Sequence, residues 1–320
     1  MSADPRELLR GRSGPGRGPA AVPAGNGRER KNREKTGRSR PGSRRGSAAR
    51  RSSARSREAR ATTPGWLWVP AGIALLLCAG PVAALLLNVP WTTLPELLDT
   101  AAARTALGLS LATSLVSTLI CAVLGLPLAV LFSKLDGPWI QLMRGVLLIP
   151  LVLSPVVSGI ALLYFWGRQG IAGKLLGAAG VDVGYSPAAV VIVQVFVSLP
   201  FFVVASLNSL SAVDRDLEMA AATSGAGPTA ILRHITLPLA LPGIVAGALL
   251  AFARSLGEYG ATITFAGSIE GRTRTLPLQI ELSLNSNQPQ AALGICLMLI
   301  ALYLLVLLLA RTGTGRLLPR

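Results

Sequence analysis

Six stretches of this chain carry no Asp, Glu, Lys or Arg: 61–95, 105–133, 145–167, 183–213, 234–253 and 282–310. Each holds a dense run of Leu, Val, Ile and Ala. A helix of roughly 20 apolar residues crosses the hydrocarbon core of a bilayer, and a water-soluble domain has no use for six of them. The chain therefore reads as all-α, a polytopic transmembrane helix bundle with six predicted spans near 66–88, 106–132, 143–166, 188–210, 239–264 and 290–311. Proline and glycine recur inside them (Pro81, Pro127, Pro155, Gly159), which bundles tolerate when neighbours or water satisfy the freed backbone groups.

The formal charge of +16 suggests a nucleic-acid partner until it is located. Residues 1–60 hold 18 Lys/Arg against 5 Asp/Glu, whereas the rest of the chain holds 13 against 10. The excess is thus a property of one Arg-, Ser-, Gly- and Pro-rich segment without a single aromatic residue. Such a composition buries too little apolar surface to fold alone, so 1–62 is expected to be a basic, disordered cytoplasmic tail preceding a membrane domain over 63–320. Arg-rich tails bind polyanions non-specifically, yet without interleaved aromatics this one suits anionic membrane lipid equally well. No specific nucleic acid is expected.

A basic segment before the first span and Arg311, Arg316 and Arg320 after the last place both termini in the cytoplasm. Six crossings then put 211–238 on the same side, beside Lys134 and Arg144. The outer loops at 167–187 and 265–289 also carry basic residues, so the charge rule supports this orientation without fixing it. The first apolar run outlasts a signal-peptide core and continues past Cys78 to Leu87, which favours an uncleaved span. Cys78, Cys121 and Cys296 lie within apolar runs and read as buried small hydrophobes. With His234 as the one histidine, no metal site is expected.

Membrane insertion does not require the amphipathic island that opens at Asp214 and runs to Pro238. Helix formers lead to Gly225, and a second helical stretch ends at Leu237-Pro238, which reads as two short helices with a turn between them. A helix lying on the membrane surface is the plainer reading. The spacing, however, resembles the cytoplasmic loop of ABC-importer permeases, Glu-Ala-Ala-x3-Gly-x9-Ile-x-Leu-Pro. The matching positions are Met219, Ala220, Ala221, Gly225, Ile235, Leu237 and Pro238. Met219 stands where that family has glutamate, and Glu218 lies one residue earlier, about 100° around a helix. The resemblance implies a type I ABC-importer permease fold in which this loop docks in a groove of an ATPase, here with weaker charge coupling.

The chain itself has no engine. Its nearest approach to a phosphate loop, Gly170-Ile-Ala-Gly-Lys174-Leu175, lacks the leading glycine and the Ser/Thr after lysine. The expectation is a non-catalytic translocation subunit with no catalytic residue and no cofactor of its own, ATP and Mg belonging to a partner ATPase.

A second stretch, Ala253-Arg-Ser-Leu-Gly-Glu-Tyr-Gly-Ala-Thr-Ile-Thr-Phe-Ala-Gly267, sets charge at membrane depth, where it is costly and faces a cavity or a partner. Arg254 and Glu258 are four apart and can share one helical face. Ser255, Tyr259, Thr262 and Thr264 are candidates with them for a translocation pathway or gate, and a pair that only locks helices together is the alternative. The same stretch, with Gly271-Arg-Thr-Arg-Thr-Leu-Pro277, resembles the molybdate branch of these permeases. Ile149–Val156 and Phe165–Gly173 agree with that, although Leu153-Ser154-Pro155 stands where the branch has Leu-Pro-Pro. The sulfate branch shares Leu-Gly-Glu-Tyr-Gly, so a sulfate/thiosulfate permease is the near alternative, and a passive anion channel a more distant one. The resemblance implies a homodimer in a bacterial inner membrane. Its other partners would be two cytoplasmic ATPase subunits and an extracytoplasmic molybdate-binding protein, with molybdate or tungstate carried by alternating access.

Overall fold

Every regular element among the residues that the computed structural model describes, 64–92, 94–180 and 182–317, is helical. The expected tail over 1–62 lies outside the described residues. The chain divides into two units, Met1–Leu67 and Trp68–Arg320. The described part of the first is a short 3-10 turn, Gly65–Leu67, with Pro64 before it.

The second unit begins with α1 (Trp68–Leu87), apolar around its whole circumference and without a buried residue. Its Cys78 is exposed, against the expectation for that cysteine, because nothing in the subunit packs over it. The short α2 (Leu94–Leu98) leads into α3 (Ala101–Lys134), 34 residues long. At 1.5 Å per residue α3 is about 50 Å long, more than the roughly 30 Å hydrocarbon core. Thr100 caps it by accepting the Ala103 N–H. One face of α3 buries Ser110, Thr113, Ser114, Ser117 and Thr118, while Leu115, Leu119, Val123 and Leu124 point outward. Hydroxyls inside and leucines outside is the polarity of a helix whose outer solvent is lipid.

α3 packs against α7 (Pro187–Ser211) and α10 (Leu237–Leu256), which also pack on each other. Cys121, Ala129 and Phe132 of α3 meet Phe202, Val203 and Leu210 of α7 and Ala240 and Ala251 of α10. Close approach of α7 and α10 depends on small residues: a Cβ on Gly243 would fall 2.2 Å from the Ser209 Cβ. α12 (Leu276–Asn285) and α13 (Pro289–Leu317) form a hairpin through Asn287, which accepts a left-handed φ of 56°. Leu276 and Ile295 of this hairpin pack on Ala103 and Ala106 of α3.

Among the described residues five helices are long and apolar enough to span a membrane, and a bent pair, counted as one, makes six. The bundle is a multi-pass membrane fold. Two expected spans are not continuous. In place of one helix over 143–166, the axis bends by 117° between α4 (Pro138–Val152) and α5 (Pro155–Trp166). Pro155 cannot donate to the helix before it and keeps Ser154 out of the helical region (ψ 151°). Ser154 then caps α5 through the Val157 N–H. In place of one helix over 239–264, α10 ends at Leu256 and α11 (Gly260–Phe265) starts after a three-residue gap. α11 seats against α5 through two glycines. A Cβ on Gly159 would lie 2.5 Å from the Thr264 Cβ, and one on Gly260 the same distance from the Pro155 Cβ.

Candidate functional site

The island over 211–238 folds as α8 (Arg215–Thr223), a glycine turn, and α9 (Pro228–Ile231). Asp214 caps α8 by accepting the Asp216 N–H at 2.9 Å, and Asp216 and Glu218 place negative charge in the first turn, where the helix dipole favours it. Gly225 has φ 89°. The Ala226 N–H bonds back to the Ala221 carbonyl and the Gly225 N–H to that of Ala222, the paired closure that a left-handed residue after a helix allows. The glycine of the motif is therefore a stop signal with a fixed exit angle.

Pro238 does not end the second helix, as the sequence suggested. α9 passes through a π turn, Leu232–Thr236, straight into α10, so one helical run extends over Pro228–Leu256. In an α-helix the Pro238 ring would clash with the carbonyl four residues earlier. The wider turn, in which the Leu237 N–H reaches back to Leu232 O, accommodates it. Ile235 and Leu237 are half-buried along this run, and Pro238 is exposed.

Glu218 faces inward, its side chain 17% exposed. Lys134, at the end of α3, donates to both carboxylate oxygens, with Nζ 2.6 Å from Oε1, and the Thr236 hydroxyl donates to Oε1 at 2.6 Å. The hydrogen bond from Lys134, then that from Thr236, holds the Glu218 carboxyl below the usual carboxylate range. Met219 is 57% exposed, with Leu217 and Ala220 exposed beside it and Ala221 half-buried. A cavity of about 840 Å³ opens between the end of α3 and this island, lined by Val130, Lys134, Glu218, Met219 and Leu232 among others.

The second candidate site lies at the break between α10 and α11. Arg254 Nη1 stands 2.6 Å from Glu258 Oε2, and Glu258, 2% exposed, also accepts the Ala261 N–H at 2.8 Å through Oε1. The pair forms, but not on a shared helix face: Glu258 has left α10 and caps the start of α11. Gly257 allows the break where the Tyr303 hydroxyl, 2.4 Å from a would-be Cβ, closes over it. The Tyr259 hydroxyl lies near the Glu281 carboxylate of α12. Ser255 is fully buried and joined to Ser117 Oγ at 2.9 Å and Ser198 Oγ at 2.8 Å, so its hydroxyl ties α3, α7 and α10 together. Thr262 is buried with its hydroxyl unpartnered, and Thr264 donates to its own helix at Gly260 O. One cluster thus gathers Arg254, Ser255, Glu258 and Thr262 around the break, with Thr264 turned back on α11.

Four residues that matter here were not singled out from the sequence: Thr236, Ser117, Ser198 and Gln194. Gln194 donates to the Thr113 hydroxyl at 3.1 Å, deep in the α3–α7 contact. The signal was present on α3, where Ser and Thr recur at helical spacing over 110–118. Gly170 and Gly173, at the start of α6 (Ile171–Ala178), serve packing: a Cβ on Gly173 would meet the Gly167 carbonyl oxygen at 1.8 Å. Among the described residues no group of three His, Cys, Asp or Glu side chains is placed to hold a metal ion.

Residues 122–320 match the family described as "Binding-protein-dependent transport system inner membrane component". The chain is 47% identical over 214 residues to the molybdenum transport system permease protein ModB of Mycobacterium tuberculosis, covering 67% of this chain and 81% of that protein. It is 45% identical over 170 residues to ModB of Escherichia coli K12, covering 53% and 74%. The sulfate transport system permease protein CysW of Synechococcus elongatus is 32% identical over 172 residues, covering 54% and 60%. In fold the chain is similar to a chain from the crystal structure of a bacterial alginate ABC transporter in complex with its pentasaccharide-bound periplasmic protein. The TM-score is 0.63 at 16% identity, covering 78% of this chain and 93% of that one.

Proposed function

The chain belongs to the family of binding-protein-dependent transport system inner membrane components, and from that membership we propose that it is the membrane-spanning permease of an ATP-driven importer of molybdate. The observation that carries the cargo is the 47% identity over 214 residues to a molybdenum permease, against 32% to a sulfate permease. Tungstate, a tetrahedral dianion of similar size, is expected to share the route.

An importer of this class works with an ATPase and a substrate-binding protein. The finer reading is a homodimer on two ATPase subunits that hold ATP and Mg, in a bacterial inner membrane with both termini cytoplasmic. The island over 211–238 is then the part that docks on the ATPase. Because α9 continues into α10, a displacement of the docked island moves a rigid rod about 40 Å long by its 29 residues. The far end of that rod is the break at Gly257, where Arg254 and Glu258 sit. This supports a gate at the break, opened and closed by the rod, with no covalent step on this chain.

Reconstitution with the ATPase and the binding protein tests the reading. Uptake of molybdate that requires ATP hydrolysis and that tungstate competes with more strongly than sulfate is the expected result. Flux without ATP would turn the protein into a channel, and preference for sulfate would move it to the neighbouring branch.

A further inference from the structure

We propose that Glu218 is a positioning residue acting within its own subunit, latching the coupling helix α8 to the end of α3 through Lys134 and to the π turn through Thr236. The inference rests on the coupling role proposed above for this island. It bears on what the family's displaced glutamate does when Met219 takes its usual place.

Lys134 reaches both oxygens of Glu218 and Thr236 reaches one, so most of the carboxylate's accepting capacity is used inside the subunit. Thr236, itself 1% exposed, supplies its hydroxyl from the π turn, where the extra residue of the wider turn sets its direction. α8 presents an apolar pair outward, Leu217 at 49% and Met219 at 57% exposed, beside the exposed Arg215 and Asp216 of its first turn. An apolar face docks without the desolvation that a charged contact costs.

The latch spans a gap that packing does not fill. α8 is joined covalently to α7 through 212–214 and to α9 through the Gly225 turn, but Lys134 and Glu218 are 84 residues apart in sequence. The cavity of about 840 Å³ lies between α3 and the island, so charge and hydrogen bonds rather than close-packed side chains hold the two together there. α3 is also the helix whose Ser117 bonds Ser255, the neighbour of Arg254. Lys134 and Ser117 are on one helix about 25 Å apart by its rise per residue. Movement of α8 therefore has a second rigid route to the ion pair, beside the α9–α10 rod.

The experiment is a double-mutant cycle on the full importer complex in nanodiscs, with Lys134→Met, Glu218→Gln and the pair, and Lys134→Arg as the conservative control. Two readouts are taken: amide exchange over 215–223, and molybdate taken up per ATP hydrolysed. A latch predicts that each single change raises exchange about tenfold, the weight of one charge-assisted hydrogen bond. It also predicts that uptake per ATP falls severalfold, that the double variant is no worse than the worse single, and that Lys134→Arg restores most of both. ATPase co-purification stays at the wild-type level. If Glu218→Gln weakens ATPase binding while Lys134→Met changes neither readout, the carboxylate serves the ATPase and the latch is wrong. Additive losses in the double variant would overturn it as well. A wild-type complex that fails to import molybdate would instead overturn the functional reading, and the exchange data would still decide the latch.

Discussion

At Gly225 the constraint is conformational and not steric: φ is 89°, and a Cβ there would meet nothing within 4 Å. Any L-residue would cost about 1–2 kcal/mol for the left-handed backbone, asparagine less than alanine, and valine most. Gly225→Val should therefore lower molybdate uptake per ATP and raise amide exchange over 215–223, with Gly225→Asn close to wild type. Equal impairment of the two variants would mean that the side chain's bulk matters there, and wild-type behaviour of both that the left-handed backbone does not. Glu258 calls for a different variant. Glu258→Gln keeps an oxygen for the Ala261 N–H but leaves Arg254 without its counter-charge beside the break. Transport should fall by tenfold or more while the subunit still assembles; wild-type uptake would reduce the pair to scaffolding. Glu218 also fixes a pH dependence. Its carboxyl is held below the ordinary range by Lys134 and then Thr236. A group with a depressed native pKa contributes stability above its unfolded value and loses it as pH falls through the native one. Uptake per ATP should accordingly stay flat from about pH 8 to 5 as far as this group is concerned, and any loss belonging to Glu218 should appear only below about pH 4.

At the scale of elements, what was legible in the sequence was what is local. The span expected near 188–210 appears as α7, whose start at Pro187 is local: Ser186 caps it and the proline fills the first turn. Gly225 was readable because the closure of α8 involves only residues 221–226. The break at Ser154 was not legible for a physical reason: inside a run without charge, neither hydrophobic periodicity nor a charged residue marks where a helix bends. Pro155 was a visible signal, yet in a membrane helix proline is common enough to be read as tolerated. At 257–259 the four-residue spacing of Arg254 and Glu258 argued for a continuous helix, whereas the pair closes across the helix end. The contact of Lys134 with Glu218 has no signature in a single sequence. The break at α11 yields its own prediction. Gly159→Leu would drive a side chain into Thr264 and the Ala261 carbonyl, lifting α11 off α5. An overpacked contact of this kind costs about 1–3 kcal/mol, so the purified complex should melt several degrees lower and transport should fall with it. An unchanged melting temperature would show that α5 and α11 separate freely and that their contact is not part of the resting structure.

Across the whole molecule, charge and polarity are sorted by place. Many serines and threonines and Gln194 are buried inside the bundle beside its apolar core, many leucines and valines face outward, and most of the chain's excess positive charge lies in residues 1–60. The family match begins at residue 122, so the basic segment lies outside it. The latch, the rod through α9 and α10, and the ion pair at the break all belong to the second unit, from Trp68 onward. If transport is the work of those parts, a chain without residues 1–60 should import molybdate within about twofold of the full chain, since no contact used in the mechanism is removed. The segment's own chemistry predicts a separate loss. Eighteen cations without aromatics bind polyanions through counter-ion release, with an affinity that falls steeply as salt rises. The shortened complex should therefore lose its low-salt attachment to vesicles rich in anionic lipid and to nucleic acid alike. A tenfold drop in uptake on deletion would show instead that the basic segment takes part in the transport cycle, and a gate and coupling helix would no longer suffice to explain it.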